Sequence, residues 1–295
     1  MLPYYYSVSE YLKDTYGKKL YKLSLSGNMT CPNRDGKLDT RGCIFCSSHG
    51  SGDFAVSDID KAKEIVSNKY SGTEYIAYFQ SFTNTYADVS YLRDLFMPII
   101  ERDDIRILSI ATRPDCLDDD VLSLLDELNH IKPVWIELGL QTTNNSTAKY
   151  IRRGYNLSAY DNAVNNLLSI RIAPIVHMII GLPGETISDY TATAKYIAQS
   201  GASGIKISLL HILKGTDLYT DYCNGLFNAM TIEDYLYAIG AILPVLPENM
   251  VVHRLTGDGP KNILAAPLWT TDKKRVLNTL HHYLKENKIY QGKDL

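Results

Sequence analysis

Three of the five cysteines in this chain lie within one short segment, TCPNRDGKLDTRGCIFCSSHG (residues 30–50). Cys31, Cys43 and Cys46 are spaced C-x11-C-x2-C, and the polar loop between the first two favours a metal centre over buried free thiols. Three thiolates can hold three irons of a [4Fe–4S] cube and leave the fourth iron open to another ligand. With His49 as a fourth donor, they can instead close a tetrahedral zinc site. The cysteines alone leave both centres open.

The remaining cysteines, Cys116 and Cys223, are isolated in the sequence. An odd and uneven cysteine count without a secretory signal argues against a disulfide framework. The first residues, MLPYYYSVSEYLKD, lack the basic start and apolar stretch of such a signal. No uninterrupted apolar run reaches the roughly 18 residues that a membrane-spanning helix needs. We therefore expect a cytoplasmic protein with no membrane partner.

The composition is that of a globular domain, with 45% hydrophobic and 21% charged residues among 295. A formal net charge of −3 means that the surface as a whole does not attract polyanions. A local basic face can still bind nucleic acid. The 22 tyrosines can stack on bases, although tyrosine is more often ordinary core and rim material.

Short strand-like runs alternate with helical patterns over the first two thirds of the chain. The predicted strands are 21–25, 74–81, 105–111, 134–140, 172–180 and 204–210. The predicted helices lie near 59–70, 89–101, 118–129, 158–170 and 188–200. This alternation indicates right-handed βαβ units around a parallel sheet. We therefore expect an α/β fold, a partial (β/α)6 barrel of the TIM type, over residues 1–213.

The pattern changes after Leu213. Two further helices are predicted, near 231–243 and 271–287, and three prolines punctuate the segment around them. We expect residues 214–295 to form a C-terminal extension packed on the barrel, and not an independent domain.

Polar side chains on the predicted strands indicate a functional lumen. In VWIELGLQ, Glu137 and Gln141 share one face, whereas the opposite face is apolar. A flat sheet between two helix layers would be apolar on both faces. The same division places His177 on the fifth strand, and Lys206 with Ser208 on the sixth. In such barrels ligands gather at the carboxyl ends of the strands.

Ten motifs occur in a fixed order along the chain: TCPNRDG–GCIFC, YFQSFTNTY, TRPDCL, ELGLQ, IRRGYN, IIGLPGET, IKISLLHILKGT, HRLTGDGP, APLW and YQGK. Together they resemble the radical S-adenosylmethionine (SAM) superfamily, in its Elongator-like branch and bacterial YhcC/YtqA-type group. The resemblance runs from about Tyr21 to Lys293. It implies that Cys31, Cys43 and Cys46 bind a [4Fe–4S] cluster and that SAM chelates the fourth iron. His49 then has no metal role, because a fourth protein ligand would block that iron.

The resemblance also implies a set of residues that bind SAM. Gln80 matches the position that recognises the methionyl amine, and Gln141 matches a ribose contact. Arg153 in YIRRG matches the arginine that pairs with the methionyl carboxylate, with Arg152 as the alternative. His177 matches a position beside the ribose, although a lone histidine on an apolar strand is often a core residue.

Three further residues are less firmly placed by the resemblance. Relatives often carry an acid where this chain has Ala111, and Ser109 on the same strand face is the candidate substitute for a cofactor contact. Cys116 is a candidate thiol hydrogen donor to the substrate, or simply a small apolar residue. Lys206 is expected to anchor the substrate, because a buried lysine needs an anion.

The leading hypothesis is a radical SAM enzyme that cleaves SAM to a 5′-deoxyadenosyl radical and abstracts hydrogen from its substrate, with an external electron donor. The Elongator-like branch modifies wobble uridines of tRNA, so the resemblance implies a tRNA substrate with an aminomethyl-type side chain, such as carboxymethylaminomethyl. A small-molecule substrate is the alternative within this class. The rival hypothesis is a non-catalytic, zinc-stabilised RNA-binding module.

Overall fold

The computed structural model describes residues 4–48, 50, 52, 54–257 and 259–295. His49 lies outside these residues. The strands are β1 (Tyr21–Leu25), β2 (Tyr75–Phe79), β3 (Ile105–Thr112), β4 (Val134–Gln141), β5 (Ile175–Ile180), β6 (Gly204–Leu209), β7 (Ile212–Leu213), β8 (Val251–Arg254) and β9 (Leu264–Ala266). The helices are α1 (Val8–Tyr16), α2 (Ile59–Val66), α3 (Val89–Ile100), α4 (Asp119–Ile131), α5 (Asn145–Tyr150), α6 (Leu157–Ser169), α7 (Ile187–Gln199), α8 (Asp217–Cys223), α9 (Ile232–Ile242) and α10 (Lys273–Glu286).

Seven parallel strands form one curled sheet, in the order β1, β2, β3, β4, β5, β6 and β8. Helices α2, α3, α4, α6 and α7 connect the first six strands and pack their apolar faces against the outside of the sheet. This arrangement is a half-barrel, so the predicted α/β fold and partial barrel are confirmed. All six predicted strands are present, with ends that shift by three residues at most.

The seventh strand, β8, lies in the segment that the sequence assigned to the extension. Its residues Val251 and Val252 pair with Gly204 and Ile205 of β6. A strand of four residues carries too little alternation to be recognised by pattern. The extension also shares the main hydrophobic core through α9 and α10. The boundary after Leu213 remains a prediction.

Helix α1 closes the amino-terminal end of the barrel. Its Leu12 packs in a small buried cluster with Ile76 of β2 and Ile107 of β3, and Trp135 of β4 packs against this cluster. The chain just before the helix adds to β8, where Val252 donates its N–H to the Tyr6 carbonyl at 2.8 Å. These apolar side chains fill the amino-terminal end of the lumen, beneath the polar residues of the strands.

The start of α1 was marked in the sequence but not recognised there. Ser7 and Glu10 form a reciprocal capping box, in which the Ser7 hydroxyl accepts from the Glu10 N–H and the Glu10 carboxylate accepts from the Ser7 N–H at 2.9 Å. Gly17 ends the helix with φ of 69°, a left-handed conformation that glycine adopts without strain.

No helix in the described part of the chain is long and apolar enough to cross a membrane.

The packing of α1 predicts the effect of truncating its buried leucine. Leu12→Ala should lower the free energy of unfolding by about 2–5 kcal/mol, because a cavity replaces a buried side chain at the barrel end. Ile65→Ala on α2 is the matched control, since Ile65 is 52% exposed and its truncation should change stability by less than about 0.5 kcal/mol. Urea unfolding of both variants measures the difference. Equal effects would mean that α1 does not plug the barrel.

Candidate functional site

A cavity of about 310 Å³ opens at the carboxyl ends of the strands. This volume lies within the range of small-molecule sites, roughly 300–1,000 Å³. The cavity brings together eight of the ten residues predicted from the sequence: Cys31, Cys43, Cys46, Gln80, Gln141, Arg153, His177 and Lys206. Residues from β2 to β8 and from the loops above the strands therefore share one site.

The three cysteines lie on the loop that follows β1, and hydrogen bonds hold the loop in shape. The Arg34 side chain spans it and donates to the carbonyl oxygens of Cys46 at 3.1 Å and Ser47 at 2.6 Å. Gly42 has a φ of 78°, and a Cβ at this position would lie 2.9 Å from Nε of Arg34. The loop thus needs glycine where the arginine crosses it.

The thiols of this loop affect one another. The pKa of the Cys43 thiol is raised to about 12, mainly by burial and also by the nearby Cys46 and Cys31 thiols. The Asn33 amide opposes this shift. Asn33 donates through Nδ2 to the Cys43 sulfur at 3.4 Å and to the Arg152 carbonyl at 2.7 Å. Such N–H donors to ligand sulfurs adjust the reduction potential of iron–sulfur clusters.

The donor set fits a cube with one open iron. Among the described residues, no three His, Cys, Asp or Glu side chains converge on a position where they could hold a single metal ion. A cube does not require that convergence, because each thiolate ligates a different iron. Three thiols lie on one loop, and an amide donates to the sulfur of one of them. They are therefore suitable ligands for the [4Fe–4S] cluster.

Gln141 forms the wall opposite the cysteines, in a strained backbone conformation. It ends β4 with a φ of 64°, at a register shift between β4 and β5. Its amide folds back over Gly139, where a Cβ would lie 2.5 Å from Nε2 of Gln141. The Tyr155 hydroxyl contacts both the Gly139 carbonyl and Oε1 of Gln141. Strain of this kind is typical of functional positions, and here it fixes an amide at the cavity wall.

Arg153 is 2% exposed and secures the end of β4. Its Nη1 donates to the backbone carbonyls of Leu140 at 3.1 Å and Thr142 at 2.6 Å, and its Nε donates to the backbone carbonyl of Tyr155 at 3.0 Å. The guanidinium also lies over the Tyr155 ring, 4.8 Å from its centroid. Burial lowers the pKa of Arg153. The residue borders the cavity, and these bonds set the direction of its side chain.

The two arginines near Arg153 in the structure have different surroundings. Arg152, the alternative partner for the cofactor carboxylate, pairs with Asp217 at 2.7 Å and is not among the residues that line this cavity. Arg113, which the sequence did not single out, does line it and forms a two-point pair with Asp115. Its Nη1 also donates to the Arg153 carbonyl at 3.0 Å. The TRPD motif was the available signal for Arg113.

Glu137 of β4 is the centre of the lumen. Glu137 is 1% exposed, and its carboxylate accepts four hydrogen bonds, two on each oxygen. Oε1 accepts from Lys22 at 2.7 Å and from Ser109 at 2.9 Å. Oε2 accepts from His177 at 2.7 Å and from Lys206 at 2.9 Å. One acid therefore ties β1, β3, β5 and β6 to β4.

The charges of this cluster follow from its burial. Burial alone would raise the pKa of Glu137, but Lys206 and Lys22 hold it well below its usual range. Burial, with Lys206 nearby, lowers the pKa of His177 to about 4, so that the imidazole is neutral at pH 7. Because ionised Glu137 can only accept, Nε2 of His177 carries the proton and Nδ1 is an acceptor. The ribose-side role of His177 stays a prediction, with which an acceptor nitrogen is compatible.

Two predicted residues do not border the cavity. Ser109 is fully buried, donates to Glu137, and reaches the cavity only through that carboxylate. Cys116 lies beyond β3, with its sulfur 3.9 Å from Oδ1 of Asp115, and burial raises the pKa of its thiol to about 12. The predicted roles of Ser109 at the cofactor and of Cys116 at the substrate remain predictions without a cavity contact.

Comparison with known proteins supplies the family context. The sequence family described as the radical SAM superfamily matches residues 40–197, and the radical SAM C-terminal domain matches residues 202–286. YtqA of Bacillus subtilis (strain 168) is 41% identical over 98% of this chain and 92% of its own length. YhcC of Escherichia coli (strain K12) is 34% identical over 95% of this chain and 92% of its own.

A solved structure with a similar fold is that of the archaeal Methanocaldococcus infernus Elp3 with an N-terminal deletion. It superposes with a TM-score of 0.66 and 17% identity, over 78% of this chain and 58% of that one. At this level of identity the likeness concerns the fold of the half-barrel.

The four bonds to Glu137 predict a large loss of stability when its charge is removed. Glu137→Gln should lower the free energy of unfolding at pH 7 by about 3–5 kcal/mol, because the buried Lys206 ammonium and the half-buried Lys22 ammonium lose their counter-charge. Glu127→Gln removes an exposed partner of Arg93 and should leave the stability nearly unchanged, because water and salt screen such a pair. Urea unfolding at pH 7 compares them.

The stability that Glu137 contributes to the wild-type protein should also depend on pH. The folded pKa of Glu137 is depressed, so its contribution is complete above its unfolded pKa and is lost as pH falls through the folded value. The stability difference between wild type and Glu137→Gln should therefore narrow only in acid. Equal stability of wild type and Glu137→Gln at pH 7 would contradict the described ion-pair cluster.

Proposed function

The chain belongs to the radical SAM superfamily, in the YhcC/YtqA-type group, and on that premise we propose that it modifies the wobble uridine of a tRNA at an aminomethyl-type side chain. It is an enzyme of the radical SAM class, and the cofactors of that family are a [4Fe–4S] cluster and SAM. One observation carries the proposal: the three-cysteine loop and a closed polar lumen open into one cavity.

The residues of the cavity divide into two regions by depth. Cys31, Cys43 and Cys46 would hold the cluster at the mouth of the barrel. When bound, the two cofactors supply a 5′-deoxyadenosyl radical that abstracts hydrogen from the substrate. Gln80 and Gln141, fixed at strand ends beside this loop, are suited to bind the polar groups of SAM.

The lower region would exclude water and position the substrate. The α1 plug fills the amino-terminal end of the lumen, and the polar groups of the Glu137 cluster bind one another, which limits the water that the lumen can hold. A reactive radical requires this, because any other hydrogen within reach would compete with the intended C–H bond. Arg153 keeps the β4 end in place and stays the candidate partner for the methionyl carboxylate.

Two cation–aromatic pairs between the cysteine loop and the segment after β2 offer contacts suited to RNA. The Arg34 guanidinium lies 5.6 Å from the Phe82 ring centroid, and the Lys37 ammonium lies 5.1 Å from the Tyr86 ring centroid. Cation and aromatic pairs at a rim can hold phosphates and unstacked bases. A wobble base must leave its stack to reach the lumen, so the anticodon loop would rest on this rim with the uridine turned inward.

An external electron donor is a further partner in this proposal, because each SAM cleavage consumes one electron that the chain itself does not supply. The donor would approach the cluster from the outer side of the cysteine loop, where Leu38 is 50% exposed. The cytoplasmic location expected from the sequence belongs to the same proposal, since such donors and tRNA are met there.

Replacement of the cysteines tests the cluster assignment. Cys31→Ala, Cys43→Ala and Cys46→Ala should each remove most of the iron and acid-labile sulfide, because three anchors are the minimum for a cube with one open iron. Cys116→Ala, Cys223→Ala and His49→Ala are the matched controls and should keep their iron. Iron and sulfide are measured on protein purified without oxygen. A colourless protein with one zinc, lost equally from the His49 and Cys46 variants, would instead establish the zinc-binding RNA module.

A second measurement tests the substrate class. The reduced protein should release 5′-deoxyadenosine slowly alone and faster with tRNA that carries an aminomethyl-type wobble uridine, because substrate binding completes the closed lumen. Unmodified tRNA is the control and should stimulate less. Binding should weaken as salt rises, since phosphate contacts release counterions. Equal yields with modified tRNA, unmodified tRNA and no RNA would overturn the tRNA assignment while leaving the radical SAM class intact.

A further inference from the structure

At the floor of the lumen, the ion pairs centred on Glu137 contain two positive charges and one negative charge. Lys22 and Lys206 both bind the single carboxylate of Glu137, at 2.7 and 2.9 Å. His177 on the same carboxylate is neutral at pH 7, because its pKa is lowered to about 4. Two ammonium groups thus share one acid, in a region where an unmatched charge is costly. An anionic group would balance this excess.

Lys206 is the lysine that can meet such a group. It lines the cavity, whereas Lys22 is not among the lining residues. An ammonium has three N–H donors. Two of those of Lys206 go to the Tyr78 hydroxyl and to Glu137, each at 2.9 Å. Among the described residues no acceptor is recorded for the third, and the cavity is the space beside it.

We propose that Lys206 binds a carboxylate of the substrate inside the lumen and so selects substrates that carry one. The inference rests on the proposed function, since the carboxylate would belong to the side chain of the wobble uridine. The one N–H donor that Lys206 leaves to the cavity suits a single oxygen acceptor, which a carboxylate supplies. A side chain ending in a bare ammonium would instead be repelled by the two lysines. Glu137 and Tyr78 act as positioning residues, because they fix the direction of the Lys206 ammonium.

The surroundings of Lys206 give the inference a pH signature. Burial lowers the pKa of Lys206 to about 7, Glu137 opposes this shift, and Arg254 and Lys22 add to it. The other groups of the cluster, His177, His253 and Tyr78, stay neutral at pH 7, because burial lowers the pKa of both histidines and raises that of the tyrosine.

A bound carboxylate favours the charged form of Lys206 and so raises its pKa. Carboxylate recognition should therefore be complete below pH 7 and fade as pH rises well above 7. A purely structural lysine would show no such dependence on the ligand.

The experiment compares two anticodon stem–loops that differ in one group. One carries a wobble uridine whose aminomethyl side chain ends in a carboxylate, and the other carries the neutral carboxamide of the same shape. At pH 6.5 the wild-type protein, loaded with cluster and SAM, should bind the carboxylate RNA about 10-fold or more tighter, as expected for a charge-assisted hydrogen bond. Fluorescence anisotropy measures both affinities, and the preference should shrink at pH 8.5.

Two lysine variants locate the effect. Lys206→Met should bind both stem–loops with nearly equal affinity and without pH dependence. Lys22→Met is the matched control, since it removes the other ammonium from Glu137 without reaching the cavity, and it should keep most of the preference. If Lys22→Met lost the preference as fully as Lys206→Met, the excess charge and not a direct contact would be responsible, and the assignment to Lys206 would be wrong.

The wild-type protein alone separates this inference from the proposed function, even if Lys206→Met does not fold. Equal binding of the carboxylate and carboxamide RNAs would overturn the inference and leave the tRNA proposal standing. Binding of neither RNA, with SAM still bound, would overturn the tRNA proposal and with it the wobble-uridine carboxylate.

Discussion

The buried carboxylate of Glu137 is the constraint on which the rest of the lumen depends. A half-barrel has no continuous ring of strand hydrogen bonds to close it, because β1 and β8 are its two edges. Side chains must therefore hold its interior together, and Glu137 does so by accepting from residues of β1, β3, β5 and β6. A buried acid is tolerated only because every one of these donors is present. Removal of any one would leave another charge or donor unsatisfied.

This central cluster separates the interior into levels with different chemistry. Below it, the apolar side chains around Leu12 and Trp135 seal the amino-terminal end. Above it, Gln141 and Arg153 are fixed by backbone strain and by carbonyl hydrogen bonds at the end of β4. The three cysteines follow on the β1 loop, at the mouth. Cofactor chemistry would thus take place between the fixed end of β4 and a floor of hydrogen-bonded charged groups.

Much of this arrangement was predictable from local patterns. Strand and helix periodicity gave the order of the half-barrel, and the polar face of VWIELGLQ indicated the lumen. The spacing of the cysteines indicated a metal centre, and the ordered motifs indicated the family. What local patterns could not give were contacts between distant strands. Lys22 and Glu137 are separated by 115 positions, so nothing in the sequence showed that the acid is shared by two lysines. For the same reason the hydrogen bond from Ser109 to Glu137 was not foreseen.

The central claim is that the cysteine loop holds a cube whose fourth iron receives SAM at the mouth of this lumen. The most direct measurement is electron–nuclear double resonance on the reduced protein, prepared without oxygen, with SAM carrying ¹⁵N at the methionyl amine. The account predicts a clear hyperfine coupling between that nitrogen and the cluster spin, absent when unlabelled SAM is used. A cluster signal that shows no nitrogen coupling with SAM bound would mean that the fourth iron is not the binding site, and would contradict the account.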